Sequence, residues 1–277
     1  MNMAEITEHI VHHVKDPKTI EYGFGEIVLP SFNTPFGTFQ LTRYMLIEVL
    51  VAVILLVLFV PLARAVKNGK PPKGRIFNML EAMLLYFRDE VVRPAIGDKK
   101  TADRFLPYIW TLFFFVLTCN LFGLVPFLGS PTGSLAITAV MACSTFIVVI
   151  GSGMRKFGVI GYWAGQVPHM DIPFGLGYIL KPMIFVIEVF GLLVKHFVLA
   201  IRLLANMFAG HTVIAVFLSF VVMREVVVHT YLWVPVAGAS IGMIIFMNML
   251  ELLVAFLQAY IISFLSALFI GMAVHQH

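Results

Sequence analysis

From Tyr44 to the C-terminus the chain alternates long apolar runs with short polar clusters, and the length of each run predicts its element. The first run, Tyr44 to Val66, reads YMLIEVLVAVILLVLFVPLARAV. It exceeds the roughly 20 residues that cross a bilayer as a helix. The next segment, GRIFNMLEAMLLYFRDEVVRPAI, has a different rhythm. Arg75, Asn78, Glu81, Arg88 and Asp89 recur at helical spacing against Phe77, Leu80, Leu84 and Phe87, and Pro94 supplies a stop. This predicts an amphipathic helix over 75–94 that lies in the membrane interface, a soluble helix packed on a partner being the other reading.

Residues 105–128 and 134–154 are two further apolar runs separated by the turn-like GSPTG, which predicts a helical hairpin over 105–154. The connector FGVIGYWAGQVPHMDIPFGLG is rich in Gly and Pro and is expected to be irregular or interfacial. Two very long runs follow, Tyr178 to Met223 and Tyr231 to Val274. Each could fold into two short crossings or form one long helix. From Met183 to Met223 there is no proline and the glycines are Gly191 and Gly210; from Met243 to Ile270 there is neither. Breakers are missing where re-entrant turns would need them, so two long, strongly tilted helices are expected.

The predicted fold is therefore an all-α integral membrane protein with about five membrane helices and one in-plane amphipathic helix. Residues 1–43 form an outer segment. Residues 44–277 form a single membrane domain, ending in a long tilted hairpin over 175–275. Composition strengthens this: 60% of the 277 residues are hydrophobic and 12% charged, with a mean hydropathy of +0.94, far from a soluble domain.

The net charge of +4 is modest and no basic tract interleaves with aromatics, so nucleic acid is not an expected partner. Charge reports topology instead. Arg64, Lys67, Lys70, Lys73 and Arg75 follow the first span, and Arg155 and Lys156 follow the third. The positive-inside rule puts those flanks and the C-terminus in the cytoplasm and the N-terminus outside.

Cys119 and Cys143 lie in apolar runs without metal-ligand spacing and read as structural thiols. The start of the chain lacks a signal-peptide pattern. His9, His12 and His13 have a spacing that metal ligands use, but no carboxylate or cysteine is fixed beside them, so a solvated terminal segment is expected. No nucleotide-binding or zinc motif occurs, and no cofactor or metal is expected.

Ionisable residues inside membrane spans cost about 2.5 to 3.5 kcal/mol each even on insertion scales, so they face a partner or an aqueous cavity. Glu188, Lys195 and Arg202 recur at intervals of seven, and Asn206 extends their stripe by a turn. His211 lies half a turn round from Arg202. On the other long run Asn248, Glu251 and Gln258 share a face. An antiparallel hairpin turning near REVVVHT would put Arg202 level with Gln258 and His211 level with Glu251. A His and a Glu on facing helices suit proton relay near neutral pH. Structural readings stand beside these: Lys195 snorkelling, Asn206 and Gln258 joining helices through hydrogen bonds, and Arg202 in a buried salt bridge to Glu188 or Glu251.

RLLANMFAGH together with ELLVAFLQAY strongly resembles subunit a of the F-type ATP synthase, with support from NLFGLVP at 120–126. The resemblance is specific from about Pro182 to Phe269 and weak over the first 40 residues. It implies a stator subunit facing a rotating ring of c subunits, with peripheral-stalk b subunits and the remainder of the synthase as partners and protons as cargo, in a bacterial inner membrane. Arg202 matches the family's essential arginine, and Asn206, Gln258, Glu188 and Lys195 fall on accompanying positions. His211 and Glu251 are exchanged relative to many bacterial members, as in the mitochondrial form.

The implied mechanism has two aqueous half-channels that do not meet, with Arg202 between them. The chain would belong to a rotary ATPase without holding a nucleotide itself. A secondary transporter or antiporter-like subunit is the main alternative, but the inverted repeats and broken helices of such folds are not visible.

Overall fold

A computed structural model describes residues 19–22, 25–28, 30–34, 37–40, 42–69, 74–125, 131–167, 177–222 and 230–275. The histidines at 9, 12 and 13 lie outside the described residues. Five helices in this set are long and apolar enough to cross a membrane, making the chain a multi-pass membrane protein.

Among the described residues, four short strands precede the first helix. Strands β1 (Thr19–Tyr22) and β2 (Gly25–Val28) pair antiparallel, as do β3 (Ser31–Thr34) and β4 (Gly37–Gln40). The reason is local. Ser-Phe-Asn-Thr alternates polar with aromatic or β-branched residues at period two, and its register with Gly-Thr-Phe-Gln sets Phe32 opposite Phe39.

Helix α1 spans Arg43–Lys67, with Arg64 and Lys67 in its last turn, where cations complement the helix dipole. The amphipathic segment folds as α2 (Arg75–Tyr86), a π-helical stretch Phe87–Val92 and a short α3 (Arg93–Ile96). The π stretch ends where Pro94 cannot donate to the carbonyl four residues back and its ring presses on that carbonyl. Widening the preceding turn relieves the clash. This segment is not among the candidate spans. Its face bearing Leu80, Phe87, Val91, Val92 and Ile96 is buried.

Helix α4 (Lys99–Gly123) is followed by a 3-10 turn at Pro131–Gly133 and by α5 (Leu135–Ala164). Gly158 breaks α5 with φ 76° and ψ 167°, a conformation that favours glycine. The chain beyond folds back, so the connector's start is a helical turn with Tyr162 fully buried over Gly153, at a place where any Cβ would strike the ring.

The long runs form α6 (Gly177–Val222, 46 residues) and α7 (Thr230–Val274, 45 residues). Each is continuous, and their prolines, Pro182 and Pro235, fall within the first two turns. At 1.5 Å per residue they are about 68 Å long. A hydrocarbon layer of about 30 Å accepts such a helix only when it is steeply tilted.

By contacts the chain forms two compact units. The first comprises Met1–Leu58, Phe115–Ile137 and Leu203–Gln258, and its core includes Tyr44, Ile47, Val51 and Cys119. The second comprises Phe59–Phe114, Thr138–Arg202 and Ala259–His277. There the Phe87 ring packs tilted against Phe113 at 4.2 Å and edge-on against Tyr260 at 5.9 Å. Trp110 Nε1 donates to the Leu84 carbonyl (3.2 Å), and Gly271 admits the Ala95 carbonyl where a Cβ would collide. These contacts fix the amphipathic segment against α4 and α7.

Candidate functional site

Within the first unit, polar groups of α6 and α7 meet at one level of the hairpin. Glu251 is only 7% exposed, and neither carboxylate oxygen has a hydrogen-bond partner among the described residues. The carboxylate lies against Gly210 of α6: a Cβ there would sit 2.5 Å from Oε1 and 2.9 Å from Cδ. Glycine is thus what lets a carboxylate approach this helix so closely. His211 follows Gly210 in the chain, half-buried, with Nε2 shielded and without a partner among the described residues. Both the Glu251 carboxylate and the His211 ring nitrogen are left with open hydrogen-bonding capacity that water or a proton can complete.

Gln258, two turns along α7 from Glu251, is 3% exposed with its Nε2 unpartnered among the described residues. Asn248 separates from these two: it is exposed. The face that groups the three by spacing is wider than the contact α7 makes, and a 60° offset carries Asn248 out of it. Asn206 is half-buried, and its Nδ2 also lacks a partner among the described residues.

Asn120 is a residue of this neighbourhood that the spacing argument missed. It is fully buried in α4, donates from Nδ2 to the Ala255 carbonyl (3.4 Å) and accepts from Thr132 Oγ1 (2.8 Å). Ala255 is one turn from Glu251, so this network holds the α7 backbone beside the carboxylate. The signal was an amide in the apolar run NLFGLVP, recorded above only for its resemblance.

In the second unit Glu188 and Lys195 are exposed and line a cavity of about 290 Å³. Tyr162, Gln166, Phe269 and His275 also border it. Here the fold-back at Gly158 matters, because it brings Tyr162 and Gln166 to α6 and the end of α7. His196, next to Lys195, points elsewhere. It is 3% exposed between Phe146 and Phe269, with Nδ1 donating to the Leu192 carbonyl (2.9 Å). Its role is packing of α6.

Arg202 is exposed, and no carboxylate among the described residues forms an ion pair with it. Ion pairs elsewhere include those joining Arg88 and Arg93 to Asp89, and Arg93 to Asp103, around the π-helical stretch. The guanidinium of Arg88, bonded to Asp89, holds that carboxyl below its ordinary range. Around Arg202, Val198, Ile201 and Phe208 are exposed as well. The guanidinium thus stands exposed in an apolar stripe of α6. Among the described residues no cluster of His, Cys, Asp and Glu could hold a metal ion.

Comparison with known proteins adds the lineage of this geometry. The family described as ATP synthase A chain matches residues 45–271. ATP synthase subunit a of Chloroherpeton thalassium is 38% identical over 272 residues, covering 95% of this chain and 76% of that protein. ATP synthase subunit a 2 of Chlorobaculum tepidum is 36% identical over 270 residues, covering 95% and 72%. A subunit a of Anaeromyxobacter is 40% identical over 229 residues, covering 82% and 52%.

Proposed function

The chain belongs to the ATP synthase A chain family, and from that membership we propose that it forms two proton half-channels and couples them through Arg202 to a rotating ring of c subunits. The observation that carries this reading is the buried, unpartnered Glu251 carboxylate packed on Gly210 beside His211.

One half-channel runs through His211 and Glu251, with Asn206 and Gln258 along its course. The other is the cavity bordered by Glu188 and Lys195. Along α6 the order is Glu188, Lys195, Arg202, Asn206, His211, so the fixed positive charge stands between the two proton routes. A guanidinium keeps its proton at any physiological pH. It therefore blocks a direct leak and favours the ionised form of a ring carboxylate passing it. Each proton must leave by one route and reload from the other.

The exposed apolar stripe around Arg202 supports contact with a c-ring, and peripheral-stalk b subunits and the rest of the synthase complete the assembly. The basic flanks after α1 and α5 support an N-terminus outside and a C-terminus in the cytoplasm, in a bacterial inner membrane. The unbroken α6 and α7 speak against a secondary transporter, whose sites use discontinuous helices.

Reconstituted vesicles test the reading. Arg202→Ala is expected to abolish proton-driven ATP synthesis while the complex still assembles; coupled synthesis near the wild-type rate would sink it.

A further inference from the structure

His275 closes α7 at the rim of the cavity that Glu188 and Lys195 border. Neither the stripe of α6 nor the His211–Glu251 neighbourhood includes it. The chain ends its helix there with the His275 N–H on the Gly271 carbonyl (3.0 Å), and the ring Nδ1 lies 3.2 Å from the same oxygen. A carbonyl only accepts, so Nδ1 carries the hydrogen and Nε2 keeps its lone pair. The side chain is exposed, which leaves that lone pair within reach of water.

The groups facing this ring come from three other elements. Asp98 precedes α4 and acts electrostatically with His275, while Glu188 and Lys195 stand on α6 and Tyr162 on the folded-back end of α5. Asp98 is held as a carboxylate, below its ordinary range, first by the Thr101 hydroxyl and then by the Thr101 N–H (3.1 Å). It is the N-cap of α4, so its position is fixed by the helix start. Gly97, at φ +83°, precedes it, and a Cβ there would lie 4.0 Å from the imidazole Cε1. The left-handed turn at Gly97 thus brings the chain before α4 close to the ring without covering it.

We propose that His275 is the proton-exchanging group at the mouth of the Glu188–Lys195 cavity. The proposal rests on reading that cavity as part of the proton pathway. In the inward direction of transfer, water at the rim gives a proton to Nε2, and both ring nitrogens then carry hydrogen. Nε2 next releases the proton to water inside the cavity, from where it reaches the Glu188 side. The reverse order unloads the channel. No other bond changes. An imidazole suits this task because one ring nitrogen can take up and release a proton while the other stays bonded to the Gly271 carbonyl.

The test uses the assembled synthase in proteoliposomes, with buffer strength varied on each side in turn. His275→Gln is expected to slow proton-driven ATP synthesis roughly fivefold in weakly buffered medium and to flatten the pH profile. Imidazole added on the affected side should restore the rate, since a diffusible buffer replaces a lost shuttle but not lost packing. Glu188→Gln serves as the partner measurement, with a loss that imidazole does not repair.

A His275→Gln enzyme at the wild-type rate in weak buffer overturns the proposal, and so does a loss that imidazole leaves in place. If Glu188→Gln and Lys195→Met both leave flux unchanged, the cavity is off the pathway and the wider assignment of that half-channel fails with it. If those variants lower flux while His275→Gln does not, this proposal alone falls.

Discussion

The two polar regions of this chain use similar side chains in opposite surroundings. Glu251 is buried in the first unit with both oxygens unpartnered among the described residues and a glycine backbone pressed against it. Glu188, in the second, is exposed at a cavity of about 290 Å³. The difference is one of access. The first carboxylate is closed in by its packing, whereas the second opens on a cavity. Single substitutions should therefore act more severely in the closed region than in the open one.

The most severe outcome belongs to neither region. Arg202→Ala should lower coupled synthesis to background, and Arg202→Lys should not restore it, because an ammonium can give up its proton and a guanidinium cannot. Synthesis in vesicles alongside passive proton leak would show the block and the leak together.

Next in size is the closed pair. Glu251→Gln and His211→Gln should each cut proton flux by about tenfold or more, and the double variant should lose little beyond the worse single one. Strictly additive losses would show that the two do not act as a unit.

Gly210→Ala should have an intermediate effect. The added methyl group would meet the Glu251 carboxylate, and overpacking of this kind costs about 1–3 kcal/mol. A helix gains up to about 1 kcal/mol from Gly to Ala, so assembly should survive while flux drops several-fold. Flux at the wild-type level would mean that the carboxylate moves away freely and that the region is not closed.

In the open region, Glu188→Gln should lower flux only a few-fold, as surrounding water covers part of the loss. A loss as large as that of Glu251→Gln would break the contrast. The smallest effect is expected at Asn120→Ala, which removes the bonds to Ala255 and Thr132. Interhelical bonds in membranes average about 0.6 kcal/mol, so thermal melting of the solubilised complex should shift by a few degrees at most.

Much of the site was legible because it rests on helical arithmetic. Intervals of seven grouped Glu188, Lys195 and Arg202, and the absence of breakers gave α6 and α7 as continuous helices. Two helices of similar length and composition nonetheless meet different fates. Half of the central window of α7 is buried, against 17% for that of α6. Periodicity cannot tell them apart, since both are apolar all round, and an all-apolar helix shows no inward face. Asn120 went unplaced for the same reason: its partners, Thr132 and Ala255, are 12 and 135 residues away.

Sequence by itself determined the spans, the amphipathic segment, the unbroken hairpin and the identity of the polar groups, because each follows from run length, local period or the absence of Gly and Pro. Only the tertiary structure decided which of those groups are closed in and which are open. It set Glu251 on Gly210 while leaving Asn248 outside, folded Tyr162 back over Gly153, and brought His275 to the rim of the cavity that Glu188 and Lys195 border. Burial is a property of neighbours far apart in the chain, and no local pattern encodes which neighbour arrives.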